Sequence, residues 1–517
     1  MIALMKHILL TLTLACALVS SLYAQTIYTS ISDAVQNKEE ARILHIPSGS
    51  KVSVADWRDI TQLEGLTELR IFSDNMIFIP DIISRLQALE VLEIQTNQDV
   101  KWPEEAMESL QSIRDLTLEN CLGNEVPAFV TKLENLETLT LSDRDATRFQ
   151  APFSPLAKLY ALEVRMPNLD EWPQGIQAFS NLKSLTIESK KISEIPEQEN
   201  GWLKLENVTL HLESLTFLPA SLIPPSLQTL KIDCPALSMW PSSLSNLPEL
   251  TELFLRGGLQ TGPMPSLAGS VSLRSAVFFD VEMPGKESGL DRCTGMEEIR
   301  FYRCGLAQFD WKSLRGISLA ILGVHHCTGV NYNKINKKLS VSQLIIQDDR
   351  LDKMPPGIHK IETLTTLDVS GERLASLGKI WKCQSLSSLT VARTEALKSL
   401  PELKPGLGRN LEELHIWAYS LQTVPESIGQ LVQLRRLTLR ADQFRSLPGS
   451  LWGLSNLEDL VLGGVSPEVM PDSSTKGLNS LRNVVLYVHK NMSEVRRETL
   501  RQYFSQGRVT IKNQIRN

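Results

Sequence analysis

One short apolar pattern recurs along almost the whole sequence with a nearly constant period. The pattern is L-x-x-L-x-L, in which Ile can replace Leu, and a clear early copy is Leu66-x-x-Leu69-x-Ile71. Nineteen clear copies lie between Leu66 and Leu481, and successive copies start 22 to 25 residues apart, most often 23. Weaker copies at 44–46 and 509–511 extend the series at each end. Such a fixed period predicts a solenoid of stacked coils rather than several ordinary globular domains.

Each copy has a second half in which an apolar residue precedes a proline, as in Ile79-Pro80, Val126-Pro127 and Leu447-Pro448. In the first half, the alternation places Leu69 and Ile71 on one face of a short strand. One coil cannot bury its apolar edge alone, so we expect neighbouring coils to stack and their strands to pair in a parallel sheet of about 21 strands. Proline cannot donate to a sheet, so the second half is predicted on the outer side, in turns or short helical segments.

These features resemble the leucine-rich repeat family, in the 23-residue class with the ending L-P-x-x-I-x-x-L-x-x-L. The resemblance covers about nine tenths of the chain. It implies an α/β fold, a leucine-rich repeat solenoid of about 20 coils, with a parallel concave sheet and an irregular or short-helix convex side.

Two departures from the family pattern are expected to affect the coils. The third position after the last apolar strand residue is usually Asn in the family, but here it is Asn97 once, and elsewhere mainly Asp, Cys or other residues, so no unbroken asparagine ladder is expected. The copies that start at Leu273, Met296 and Leu319 lack the usual proline, which predicts an irregular outer side between about 267 and 340.

The first 24 residues have the composition of an export signal. Lys6 and His7 precede the apolar run 8–19, and the small Ala24 suits a cleavage site. A lipoprotein anchor at Cys16 is the less favoured alternative. We therefore predict a signal peptide at 1–24, an N-terminal helical cap with a weak first coil at 25–62, the repeat array at 63–490, and a C-terminal cap helix and strand at 491–517. The predicted location is extracytoplasmic, either secreted or periplasmic, with no later stretch apolar enough to span a bilayer.

Composition and motifs argue against several functions. The formal charge of −6 and the calculated pI of about 5.9 do not suit a non-specific nucleic-acid binder. The sequence has no P-loop, nucleophile-elbow or zinc-protease motif, so we predict no catalytic residues, no cofactor and no metal site. His325-His326-Cys327 is a poor metal site, because the two histidines should diverge as the strand ends. Cys304 and Cys327 occupy equivalent places in consecutive coils, where either two separate thiols or a disulfide fits the spacing.

The register of the pattern predicts which side chains point to solvent from the concave face. Two groups contain aromatic residues and arginine, the types that dominate binding hot spots. The middle patch consists of Phe254, Arg256, Phe279, Arg300, Tyr302, Arg303 and His325, and the C-terminal patch of Arg393, His415, Trp417, Arg436, Arg440 and Tyr487. Alternatively, the exposed rings stack on one another along the sheet and only stabilise it. Trp102, Trp172 and Trp240 precede proline and are predicted to fill the core.

The resemblance implies protein–protein binding through the concave face, without catalysis. The cationic and aromatic character of the middle patch suggests an acidic protein segment as the partner. The alternative is a cell-envelope glycan or polysaccharide, because aromatic faces stack on sugars.

Overall fold

The structure is a computed structural model that describes residues 26–154, 156–197, 202–258, 262–442, 444–470, 478–504 and 507–513. The predicted signal peptide at 1–24, with Cys16, lies outside these residues and stays a prediction. The chain divides into two compact units, unit 1 ending at Pro241 and unit 2 beginning at Ser242. No helix within the described ranges combines the length and apolarity needed to cross a membrane.

Unit 1 is a stack of coils whose strands pair side by side and in parallel. Within its described residues, the main sheet contains β1 (Ile27–Tyr28), β2 (Ile43–Ile46), β3 (Glu68–Phe72), β4 (Val91–Gln95), β5 (Asp115–Glu119), β7 (Thr138–Ser142), β9 (Ala161–Arg165), β10 (Ser184–Ser189), β11 (Asn207–Leu212) and β12 (Thr229–Asp233), while β6 (Glu125–Val126) and β8 (Arg148–Phe149) form a separate pair. The register sets Leu69 opposite Leu44 on one side and Leu92 on the other. Apolar strand positions therefore align into continuous buried rows.

Unit 2 repeats the same arrangement. Its described strands are β13 (Glu252–Arg256), β14 (Ser275–Phe279), β15 (Glu298–Tyr302), β16 (Ser318–His325), β17 (Ser340–Gln347), β18 (Thr366–Ser370), β19 (Ser388–Thr394), β20 (Glu413–Ala418), β21 (Arg436–Arg440), β22 (Asp459–Gly463), β23 (Asn483–Val488) and β24 (Arg508–Asn513). Leu253 and Leu255 are buried, whereas Phe254 and Arg256 between and beside them are half-exposed. This alternation confirms the predicted register.

The outer halves of the coils contain short 3-10 helices. In the described residues these are Asp81–Arg85, Ala128–Thr131, Ile176–Ala178, Ala220–Leu222, Ser242–Ser245, Leu290–Arg292, Trp311–Leu314, Tyr332–Lys334, Ile358–Lys360, Ile380–Lys382, Glu426–Gln430, Gly449–Gly453 and Pro467–Val469. The coils that start at Leu273, Met296 and Leu319 have one such turn each, so short helical turns occur within the range expected to be irregular. At Trp311–Leu314 the Asp310 side chain replaces the proline as the starting signal, because it accepts a hydrogen bond from Lys312 N at 3.0 Å.

Four α-helices occur in the described residues: α1 (Ile31–Gln36), α2 (Val54–Ile60), α3 (Glu104–Glu108) and α4 (Glu494–Tyr503). Helices α1 and α4 lie where the sequence predicts terminal helices. Helix α2 was not anticipated, although it has a sequence signal. Ser53 and Asp56 form a capping box around its first turn, and Trp57 and Ile60 bury its inner side.

A column of buried polar side chains, here called the polar ladder, follows the strands at the place where an asparagine ladder is usual. In several coils it lies one residue before the predicted position. The predicted residues Asp74 and Asn97 are exposed and hydrogen-bond to each other at 3.3 Å, while the preceding Ser73 and Thr96 are buried. Where one extra residue follows the strand, the ladder position is shifted and a cysteine fills it. Such cysteines include Cys121, Cys304 and Cys327, buried free thiols whose sulfurs lie 3.3–3.8 Å from carbonyl oxygens of the preceding coil.

Asp143 is a ladder residue whose carboxylate accepts three backbone hydrogen bonds. One carboxylate oxygen accepts from Leu122 N at 2.9 Å, and the other accepts from Asp145 N and Ala146 N at 2.8 and 3.2 Å. We expect Asp143→Ala to lower the free energy of unfolding of unit 1 by about 2–3 kcal/mol, because it leaves buried N–H groups without partners. Urea denaturation measures this loss. Asp145→Ala, at an exposed neighbouring position, is the control and should cost less than about 0.5 kcal/mol; equal losses for the two variants would contradict the ladder role.

Two of the three tryptophans predicted for the core are buried. Trp172 and Trp240 are 6% and 7% exposed. Trp102 is only half-buried. It packs on Phe129 at 5.3 Å between ring centroids and donates its indole N–H to Cys121 O at 3.3 Å.

Candidate partner-binding face of unit 2

The middle patch is held together by a ladder of stacked rings on four neighbouring strands. Phe254 and Phe279 lie 5.5 Å apart between ring centroids, at an angle of 41°. Phe279 and Tyr302 are 4.2 Å apart and nearly parallel, and so are Tyr302 and His325, at 6° and 12°. The stacking anticipated as the alternative is therefore present. Because strands fix this spacing, the four rings form a rigid ridge on the sheet.

The ladder leaves ring edges, rather than ring faces, available to a ligand. Tyr302 is covered on one face by Phe279 and on the other by His325, at the distances given above. Phe279 is likewise flanked by Phe254 and Tyr302. A partner can contact the edges and the Tyr302 hydroxyl, whereas a sugar ring cannot stack on a face that is already covered.

Acidic side chains of the same sheet pair with the arginines of the middle patch. Asp280 binds Arg303 through two hydrogen bonds of 2.8 and 2.6 Å. Its carboxylate also lies 3.8 Å from Arg256 Nε. Arg300 forms an ion pair with Glu298, and its hydrogen bond with Tyr302 raises the pKa of Arg300 above the usual arginine range. The middle patch therefore has less net positive charge than its arginines alone suggest.

A glycine makes room for the last ring of the ladder. Gly323 lies between two buried strand residues of β16, and a Cβ added there would lie 2.8 Å from His325 Nε2 and 3.1 Å from Arg300 Cγ. Glycine inside a strand often marks such a close approach. Burial lowers the pKa of His325 below its ordinary value, so the stacked imidazole is neutral at neutral pH.

Beside the stacked rings, three consecutive coils place a non-glycine residue in the left-handed backbone region. Asp280, Arg303 and His326 have φ values of 53°, 52° and 53°. Each directly follows a ladder ring, so these extra residues add a further column of side chains next to the rings. Non-glycine residues in this conformation cost about 1–2 kcal/mol each and cluster at functional sites.

Arg393, in the C-terminal patch, has the same conformation, with φ of 53°, and is exposed. We expect Arg393→Gly to leave the free energy of unfolding unchanged or to raise it by up to about 1 kcal/mol, because relief of strain outweighs the entropy lost by glycine. Thermal unfolding measures the effect. Arg435→Gly, at an exposed position outside the left-handed region, should instead lower the stability by about 0.5–1 kcal/mol. If Arg393→Gly were the more destabilising of the two, the account of strain would be wrong.

The C-terminal patch is organised around Arg440. Its guanidinium carbon lies 4.2 Å from the Tyr487 ring centroid and 5.4 Å from that of Trp417, which is 44% exposed. Between β21 and β23, Gly463 allows this arrangement, because a Cβ there would lie 3.2 Å from Arg440 Cγ. No carboxylate of the described residues lies within ion-pair distance of Arg440. Its charge is held by two aromatic rings instead of an acid.

The remaining members of the C-terminal patch have local partners. Arg436 forms ion pairs with Glu413 and, at 3.6 Å, with Asp459. His415 Nδ1 lies 2.9 Å from Thr438 Oγ1, and burial lowers the pKa of His415. Strands β17 and β18, which contribute mainly amide, hydroxyl and aliphatic side chains, separate the two patches.

Within the described ranges, no group of three or more His, Cys, Asp or Glu side chains is arranged to hold a metal ion. His325 stacks on Tyr302, His326 lies 3.7 Å from Asp349, and Cys327 Sγ lies 3.4 Å from Phe301 O. The three side chains have separate partners.

Sequence reasoning missed Asp280, Glu298, Gly323 and Gly463, which pair with or make room for the predicted residues. Asp280 and Arg303 are 23 residues apart, the period of the repeat. An alignment of all coils on that period could have placed them side by side.

No family model matches the chain. Leucine-rich repeat-containing G-protein coupled receptor 5 of Xenopus tropicalis is 31% identical over 134 residues, which are 26% of this chain and 12% of the receptor. Adenylate cyclase of Schizosaccharomyces pombe is 20% identical over 388 residues, 74% of this chain and 20% of the cyclase. The chain thus spans a small part of the length of these relatives. Among solved structures, the Drosophila Toll–Spatzle complex aligns with a TM-score of 0.51 and 15% identity, over 93% of this chain and 61% of that chain.

The 23-residue pattern, the parallel sheets with one strand per coil and this likeness of fold define the class of the protein. The chain has the leucine-rich repeat solenoid fold.

Proposed function

We propose that the protein is an exported, non-catalytic scaffold that binds another protein through the solvent face of the unit 2 sheet. The middle patch provides a rigid ridge of ring edges flanked by arginines, and the C-terminal patch provides an arginine without an acidic partner among the described residues. Both arrangements are fixed before a partner arrives. A preorganised surface of aromatic and arginine side chains loses little entropy on binding.

The observation that carries the proposal is the left-handed conformation of Asp280, Arg303 and His326 in three consecutive coils. Among the described residues, such non-glycine positions also occur singly at Asn120 and Arg393, but only here do they recur in consecutive coils. They lie immediately beside the stacked rings, where they extend the surface by one column. The strain is consistent with a surface shaped for recognition.

A protein partner suits this surface better than a glycan. The faces of Phe279 and Tyr302 are covered by their neighbours, and the Trp417 ring has Arg440 on one side. The Toll–Spatzle structure is a complex of Toll with Spatzle, so a similar fold can hold a second protein. Envelope glycan binding is the second candidate, with the exposed Trp417 as its platform. It predicts that polysaccharide quenches the fluorescence of the wild type and not that of Trp417→Phe.

The test compares the proteins and glycans retained from native extracytoplasmic extract by the wild type and by Arg256→Ala/Tyr302→Ala/Arg303→Ala. The expected result is that one protein is retained by the wild type and lost with the variant. Circular dichroism first establishes that both chains are folded at the working temperature. If the two chains retain the same molecules, the middle patch is not the binding site.

A further inference from the structure

The strand ends beside the C-terminal patch enclose a groove of about 990 Å³ in unit 2. We propose that this groove anchors an extended, acidic segment of the partner, with an apolar side chain in the groove and a neighbouring carboxylate on Arg440. The inference rests on the proposed function of the unit 2 face and names the chemistry that one part of that face recognises.

The groove has an apolar floor and a polar rim. Phe444, Val465 and Val469 are 1%, 2% and 8% exposed and close the floor, and the half-buried Met492 adds apolar surface. The rim includes Tyr419, Gln422, Ser466, Arg445, His489 and Asn491. A floor of this kind favours an aliphatic or aromatic side chain, while the rim can hydrogen-bond to an extended backbone.

The groove and the Arg440 cluster are neighbours on the same edge of the sheet. Tyr419 follows Trp417 by two residues, Gly464 follows Gly463 by one, and His489 follows Tyr487 by two. Since all these strands are parallel, their ends lie along one edge. A segment only a few residues long can therefore contact both.

The glycine pair 463–464 creates this arrangement. Gly463 leaves the space over which Arg440 approaches Tyr487. Gly464 has φ of 75°, and a Cβ there would lie 2.4 Å from Ala441 O, so the β22 coil presses closely on the coil before it. Only glycine fits that approach without a shift of the backbone.

The charges of the site favour an acidic ligand because arginines outnumber carboxylates: Arg445 and Arg496 line the groove together with Asp442 and Glu468, and Arg440 lies beside it. Neither Arg440 nor Arg445 forms an ion pair with the described residues, whereas Arg496 on the rim is paired with Glu468. Arg440 is held between two rings, so its guanidinium is oriented before an anion binds. An oriented arginine binds a carboxylate more favourably than a mobile one, because fewer rotamers are lost.

Phage-displayed random 12-residue peptides, selected on the full chain, test the inference. Enriched peptides are then synthesised, and their affinities are measured by fluorescence anisotropy against the wild type, Arg440→Gln and Gln422→Trp, the last of which adds bulk to the rim of the groove. Arg435→Gln and Gln430→Trp are the matched controls, on exposed positions away from the groove. Tyr302→Ala reports on the middle patch.

The expected peptides combine an apolar residue with a nearby Asp or Glu. We expect about a tenfold loss of affinity with Arg440→Gln and with Gln422→Trp, no change with the controls, and weaker binding as salt rises. The inference is overturned if no peptide is enriched, or if the enriched peptides bind both groove variants as well as the wild type. If peptide binding were lost only with Tyr302→Ala, the inference about the groove would be overturned and the proposed function would stand. Peptides indifferent to every variant would count against both.

Discussion

Replacement of Tyr302 by Ala is expected to lower the affinity for the partner about 30-fold. Tyr302 is the central ring of the middle patch and contacts both Phe279 and His325 at 4.2 Å. Its removal breaks the ridge in two and deletes the hydroxyl beside Arg300. Truncation of a central aromatic hot spot costs about 2 kcal/mol or more of binding free energy, which corresponds to this factor.

Isothermal titration measures the affinity of Tyr302→Ala for the captured partner, which is the protein that the wild type retains from extracytoplasmic extract. The two lost ring contacts should also lower the free energy of unfolding by about 1–2 kcal/mol, so a second variant separates binding from stability. Tyr302→Phe keeps the stack and should bind within about threefold of the wild type. Ser370→Ala, in the same outward column on β18, is the control for position. An affinity of Tyr302→Ala equal to that of Ser370→Ala would remove the middle patch from the interface.

Phe301→Ala is expected to be the most destabilising single change in this part of unit 2. Phe301 is a fully buried residue of β15 and lies 5.6 Å from Phe278 and 5.4 Å from Phe309 between ring centroids. Truncation of such a residue leaves a cavity that the stacked coils cannot fill, at a cost of about 3–5 kcal/mol. Because coils depend on their nearest neighbours, the loss should be concentrated in β14, β15 and β16.

Hydrogen exchange read by mass spectrometry localises this effect. The amides of β14–β16 in Phe301→Ala should exchange faster than those of β20–β22 in the same chain. Phe254→Ala, which removes a half-exposed ring from the solvent side, is the matched variant and should cost about 1 kcal/mol. Equal exchange in all coils, with a stability loss below 1 kcal/mol, would show that Phe301 is not a core anchor.

The fold was largely predictable because strand geometry determines which side chains point inward. Residues such as Leu69 and Ile71 alternate with half-exposed neighbours, and the same period recurs in every clear copy of the pattern. The position of the polar ladder was not predictable from the motif alone. One extra residue, such as Asn120, shifts the register after the strand, and only the backbone conformation reveals it.

Most outward residues of the candidate site were predictable, but their pairing was not, and His325, which was predicted to point to solvent, is only 6% exposed. The positions of Phe254, Tyr302 and Trp417 on the sheet follow from the period of two. Whether rings stack, or whether Arg303 finds Asp280, depends on rotamers and on the spacing between coils. Similarly, the contact of Arg440 with Tyr487 depends on the absence of a side chain at Gly463.

Hydroxyl-radical footprinting tests the central claim most directly, because it reads the solvent accessibility of individual side chains. The full chain is oxidised with and without the captured partner, and each residue is quantified by mass spectrometry. We expect the partner to lower the oxidation of Phe279 and Tyr302 and to leave Met239 and Phe217, which are exposed in unit 1, unchanged. Unchanged oxidation of Phe279 and Tyr302 in the saturated complex would contradict the claim that the unit 2 sheet face binds the partner.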